Sequence, residues 1–184
     1  ENTLAAFREA LALGISHLEC DVRLSRDGRI VVIHDATVDR TTNGRGRVAD
    51  LSLAELRALD AGGGERIPLL EELLGILPDD GRLVIEVKED DRFPRLTDAV
   101  LEMMERGPAP RRGLGISAFE MATVRRVREL SPRIELSALL RDTAGALAEA
   151  ERIGVNILCP RASDVTAALV ERLHGAAYLV RAWG

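Results

Sequence analysis

The chain has 184 residues, 46% hydrophobic and 30% charged, the balance of one globular domain with room for a core. A formal net charge of −5 and an aromatic content of 3%, with no basic stripe, exclude a nucleic-acid partner from the expected functions. No apolar run reaches the length of a membrane span and no signal-peptide pattern opens the chain, so no integral membrane segment is expected and the cytoplasm is the default compartment.

Asn2 or Thr3 can cap a first helix, whose apolar positions Leu4, Phe7, Ala10 and Leu11 follow the helical period until Gly14. A strand over 17–24 follows, then a turn at Asp27-Gly28 and the apolar run Val31-Val32-Ile33 leading into His34-Asp35. Residues 36–50, rich in Thr, Gly and charge, read as a loop. Arg40, Thr41 and Thr42 are read there as turn chemistry in preference to phosphate donors. Ser52 with Glu55 forms a capping-box pattern for a short helix, and Pro68 is expected to open an amphipathic helix.

Beyond that point the chain alternates. Strands are expected at 83–90, 113–119, 134–140, 155–160 and 177–183, separated by helices at 95–106, 120–131, 143–153 and 165–174. Six principal strands in β/α alternation predict an α/β fold with a parallel sheet and right-handed crossovers. No glycine fingerprint for a nucleotide follows any strand. Cys20 and Cys159 lie in apolar runs and read as small core residues, with no disulfide required. Arg111-Arg112 and Arg125-Arg126 read as surface.

The chemistry concentrates on three short pieces. On a strand, Glu19 and Asp21 share one face while Leu18, Cys20 and Val22 take the other. Two carboxylates side by side repel, and a divalent metal with oxygen ligands relieves them. Read alone, the pair serves equally well as the solvated face of an edge strand, His34 as an ordinary loop or core histidine, and Asp35 as the start of a turn. Glu86 and Lys88 share one face of an otherwise apolar strand. Beside Glu19 and Asp21 they read as a third metal ligand and a cation for a phosphate. The whole reads as a metal-plus-histidine site at strand C-terminal ends, where a TIM barrel places its chemistry.

At this point the residues resemble the glycerophosphodiester phosphodiesterase family. The matching pieces are ENTLAAF, the E-C-D of HLECDV, DG before VVIHD, RTTNGRG, DLSLAELRALD, IPLLEELL, IEVK, ISAF and RAWG, in the family's order. The resemblance implies a (β/α)8 TIM barrel across residues 1–184 as a single domain incomplete at both ends, without the barrel's first and last strands. It implies metal-dependent hydrolysis of glycerophosphodiesters to glycerol 3-phosphate and an alcohol. Glu19, Asp21 and Glu86 would bind one divalent cation, Mg²⁺ or Ca²⁺. His34 would be one of two catalytic histidines, the other belonging to a His-Arg-Gly motif upstream of Glu1. Lys88 would lie near the phosphate and Trp183 would line the substrate end of the pocket.

Three rivals stand beside that reading: phospholipase D-like action on lysophospholipids, a non-catalytic barrel that binds metal or phosphate, and acids that merely pair with Lys88. The expected partner is a small-molecule diester, and the oligomeric state stays open.

Overall fold

The structure, a computed structural model, describes residues 1–88, 94–106 and 113–184. Strand β1 (His17–Leu24) lies beside β3 (Arg82–Val87), and β4 (Leu114–Ala118), β5 (Glu135–Leu140), β6 (Ile157–Pro160) and β7 (Leu179–Val180) follow in sheet order. All five of these contacts are parallel. The six principal strands are therefore present. β2 (Ile30–Val32) turns back antiparallel along β1 as the sheet's edge, and the sheet is not closed by hydrogen bonds between β2 and β7.

Helices α1 (Leu4–Ala12), α2 (Leu53–Arg57), α3 (Leu70–Ile76), α4 (Arg95–Arg106), α5 (Met121–Leu130), α6 (Thr143–Ile153) and α7 (Ala167–Gly175) fill the connections. Thr3, not Asn2, caps α1 by accepting from Ala6 N at 3.2 Å. The Ser52–Glu55 capping box forms at α2 as its spacing predicts. Gly154 ends α6 in the left-handed region at φ 77°, a conformation that glycine adopts without Cβ strain.

Two boundaries differ from the sequence expectation. Pro68 does not open α3, because Pro68 O accepts from Val32 N at 2.8 Å and Leu69 bridges Val31. The edge of the sheet captures those two residues before the helix starts. The last strand is only two residues long, with a separate bridge from Arg161 to Trp183. The expected strand end at Glu89-Asp90 and the Arg111-Arg112 pair lie outside the described residues.

The strands divide their side chains between two faces. Cys20, Val22, Leu83, Ile85, Ile116, Leu136, Ala138 and Leu158 are fully buried against the helices. Burying each large aliphatic there contributes about 1.5–3 kcal/mol. The alternate positions, Glu19, Asp21, Val84, Glu86, Ser117, Ser137, Leu139 and Cys159, face a cavity instead. A second, smaller apolar cluster of Val31, Ile33, Val38, Val48, Leu56 and Ile67 lies under the excursion that leaves the sheet after β1.

Candidate active site

Parallel register brings the acids together. Asp21 pairs with Glu86, Glu86 with Ser117 and Ser117 with Ser137, so one layer of polar side chains crosses four neighbouring strands. Glu19 stands two residues before Asp21 on the same face. Ligand oxygens of Glu19, Asp21 and Glu86 all lie within 4.8 Å of one another. Asp21 and Glu86 are buried, and Glu19 is the exposed member.

The electrostatics of this cluster are uneven. Lys88 Nζ meets Asp21 Oδ1 at 3.0 Å and pairs more closely still with Glu86. One ammonium thus faces three carboxylates. Loss of water and the neighbouring charges of Asp21 and Glu86 push the Glu19 carboxyl up to about 7, against the smaller opposing effect of Lys88. The cluster is short of positive charge. Its donors are all oxygen, as a hard divalent cation requires, so these residues fit the metal that the sequence pattern implies.

Asn2 holds this cluster from a direction that sequence reading assigned to helix capping. Its Nδ2 donates to Asp21 Oδ2 at 2.8 Å and its Oδ1 accepts from Asp21 N at 3.5 Å. Asn2 reaches that position with φ 53°, in the left-handed region that asparagine tolerates better than most residues. One amide therefore fixes both the side chain and the backbone of a candidate ligand.

His34 arrives from the excursion. Its Nδ1 lies 2.7 Å from Asp35 Oδ1. Arg40 donates to both oxygens of Asp35, at 2.7 and 2.9 Å, and its Nη1 donates to Glu1 Oε2 at 3.0 Å. Hydrogen bonds from Arg40 and His34 hold the Asp35 carboxyl well below the usual carboxylate range. An ionised carboxylate only accepts, so Nδ1 carries the proton in this pair and Nε2 is left to exchange one. Arg40 links Asp35 to Glu1 and so does more than turn chemistry, and Asp35 does more than begin a turn. Thr42 does serve the turn, donating to Val38 O at 2.7 Å.

A cavity of about 320 Å³ joins these parts, lined by Glu19, Asp21 and Glu86 from β1 and β3, by His34 from the excursion and by Arg181, Ala182 and Trp183 from the segment after β7. Trp183 lies in the lining. Lys88 is paired with both Asp21 and Glu86. Trp183 donates from Nε1 to Leu140 O at 3.1 Å and packs edge-on against Phe119 with ring centroids 4.8 Å apart. Both cysteines are free and buried, but Cys159 faces the cavity, and burial pushes its thiol up to about 11. No helix among the described residues is long and apolar enough to cross a membrane.

A family model described as the glycerophosphoryl diester phosphodiesterase family matches residues 1–184. A glycerophosphodiester phosphodiesterase of Caldanaerobacter subterraneus subsp. tengcongensis is 40% identical over 148 residues, covering 76% of this chain and 60% of that protein. One from Bacillus altitudinis is 36% identical over 152 residues, covering 77% and 62%. The chain thus spans about 60% of the length of these curated relatives.

Among solved structures, an Oleispira antarctica phosphodiesterase in complex with the product sn-glycerol-3-phosphate superposes with a TM-score of 0.93 at 28% identity, covering 100% of this chain and 78% of that one. A glycerophosphodiester phosphodiesterase from Thermotoga maritima gives 0.81 at 26%, covering 100% and 79%. The α/β fold expected from the alternation of strands and helices is that of these TIM-barrel phosphodiesterases, as the family resemblance implied.

Proposed function

This chain belongs to the glycerophosphoryl diester phosphodiesterase family, and from that premise we propose that it hydrolyses glycerophosphodiesters to glycerol 3-phosphate and an alcohol. The observation that carries the reading is the meeting of three carboxylates within 4.8 Å, on one face of two adjacent parallel strands, in one cavity with His34. We assign Glu19, Asp21 and Glu86 to one divalent cation, Mg²⁺ or Ca²⁺, and residues 1–184 to one domain. The bound cation would supply positive charge to the phosphate oxygens as negative charge builds on them.

The chain's own residues supply the remainder. Asp21 and Glu86 are held at the strand ends by pairing and by Lys88, and Asn2 fixes the Asp21 carboxylate. Asp35 holds the Nδ1 proton of His34, leaving Nε2 to give a proton to the departing alcohol oxygen as its bond to phosphorus breaks. The attacking oxygen comes from water or from the substrate's own glycerol hydroxyl, and its proton goes to a second base. On the family resemblance, that base would belong to a His-Arg-Gly motif preceding the stretch that begins at Glu1. Lys88 keeps Asp21 and Glu86 from repelling one another, in addition to its proposed place near the phosphate.

The test is release of glycerol 3-phosphate from glycerophosphocholine and glycerophosphoglycerol with Mg²⁺ or Ca²⁺, repeated in EDTA. It is run on this chain and on a form extended upstream of Glu1. Turnover that EDTA abolishes is expected in the extended form. Cation binding without turnover in either form would replace this reading with a binding barrel. The cytoplasm is proposed as the compartment, tested by cell fractionation.

A further inference from the structure

The C-terminal rim of the sheet carries a second chemical pattern that the acidic cluster does not use. The first residue beyond β5 is Arg141, the first beyond β6 is Arg161 and the first beyond β7 is Arg181. Strand pairing sets Arg141 level with Arg161, Arg161 level with Trp183, and Arg181 one pleat deeper beside Cys159, so three successive β/α units place guanidinium groups over two levels of one rim. Arg181 lines the cavity that holds Glu19, Asp21 and Glu86.

The three are not equally engaged. Arg141 Nη1 pairs with Glu120 at 2.7 Å. Arg161 and Arg181 take part in no ion pair among the described residues. The nearby acids that would neutralise this rim are used elsewhere. Asp142 accepts from Gly145 N as the cap of α6, and Asp164 accepts from Thr143 Oγ1 at 3.0 Å.

The aromatic rings on this side are also taken. The guanidinium of Arg141 lies 4.2 Å from the Phe119 ring centroid, and Lys88 Nζ lies 5.8 Å from it. Arg161 lies 5.1 Å from the Trp183 centroid. A quaternary ammonium is recognised by free aromatic faces and by the absence of competing cations. Here each ring already has a cation of the protein's own, and a further cation would meet like charge.

We propose, on the basis of the hydrolytic reading above, that the β6–β7 side of the cavity selects glycerophosphodiesters whose alcohol carries a second anionic group, with Arg181 in the lining and Arg161, set against the ring of the lining residue Trp183, as its specificity residues. The scissile phosphate belongs at the acidic cluster. A glycerol unit offers hydroxyl acceptors but no charge, so, with the scissile phosphate there, an anionic partner for these two guanidinium groups comes from the alcohol. Guanidinium forks pair with phosphate oxygens in charge-assisted bonds, which makes a second phosphodiester the best-matched group.

The experiment compares bis(glycerophosphoryl)glycerol, which has a second phosphodiester, with glycerophosphocholine, in the full-length protein at low ionic strength. Two readouts are taken: kcat/KM with the divalent cation, and affinity by calorimetry in EDTA. The wild type is expected to favour the bis-phosphodiester by about tenfold, the scale of one charge-assisted hydrogen bond. Arg161→Ala and Arg181→Ala should each lower that ratio, Arg161→Glu should invert it, and added salt should compress it. A preference that survives the Ala and Glu variants, or a wild type that favours glycerophosphocholine, would overturn the proposal. Turnover of both diesters at equal kcat/KM also overturns it while leaving the hydrolytic reading intact. Selective, Arg161-dependent binding without turnover of either diester supports the rim and removes the hydrolytic reading instead.

Discussion

Two groups of charged residues meet in the cavity, and they are built on opposite principles. The cluster of Glu19, Asp21 and Glu86 rises from the sheet and sets three carboxylates against a single ammonium. The array Glu1–Arg40–Asp35–His34 ties the residue at the start of the chain to three on the excursion and alternates in charge, each member hydrogen-bonded to the next. The array is complete as it stands, so it needs only side-chain geometry to hold His34 in one tautomer. The cluster is electrostatically incomplete and is poised to take up a cation. A site that separates these tasks can lose one without losing the other.

The sharpest way to break the comparison is His34→Ala. Turnover of any diester should fall by about 10²–10⁴-fold, the usual contribution of a general acid or base, while cation binding measured by calorimetry stays at the wild-type level. Retained turnover would remove His34 from the chemistry. Asn2→Ala approaches from the other side. It should weaken cation affinity by about 10- to 100-fold, as loss of a group that orients a ligand does, with the pH profile of kcat unmoved. Arg40→Ala should do the reverse, lowering kcat and displacing its pH profile by releasing Asp35 while cation affinity holds.

A smaller effect follows from Glu19, whose carboxyl is raised to about 7 from the ordinary 4.5. The folded state then binds more protons than the unfolded one between those values, so stability of the cation-free protein should decline as pH rises through that window. Cation must displace that proton, so the rise in melting temperature on adding Mg²⁺ or Ca²⁺ should grow over the same range. Thermal scans with and without cation from pH 5 to about 8 test this sign. The smallest effect belongs to Ser52→Ala, which removes the α2 cap and should cost about 1 kcal/mol in denaturant titration without changing cation affinity.

How much of this was legible depends on the distance over which each residue acts. Glu19 and Asp21 could be placed on one face because strand geometry alone decides it, and Ser52 with Glu55 because a cap is a four-residue event. Glu86 joined them once six β/α units implied a parallel sheet, since neighbouring strands bring their C-terminal ends level. Asn2 was out of reach: nothing in the spacing says that it adopts a left-handed φ and meets Asp21 instead of capping α1. Arg40 looked like turn chemistry because its partners, Asp35 and Glu1, come together only when the excursion folds back. Pro68 misled for a related reason, since its carbonyl was claimed by Val32 across the sheet edge. The rim arginines were readable as three basic residues after three strands, but their levels depend on a register that sets Arg161 beside Trp183 and Arg181 one pleat deeper.

The second apolar cluster has a consequence for motion. Val31, Ile33, Val38, Val48, Leu56 and Ile67 form a core separate from the one beneath the sheet, and the segment that presents His34 rests on it. Such a segment can open as its own cooperative unit while the rest of the barrel remains closed. Amide protons at Val38 and Val48, both bonded within the excursion, should then exchange together and sooner than those at Ile85 or Leu136. The histidine would leave and re-enter the cavity as part of a small folding unit, on a clock set by six buried aliphatic side chains and not by the barrel that carries the acids.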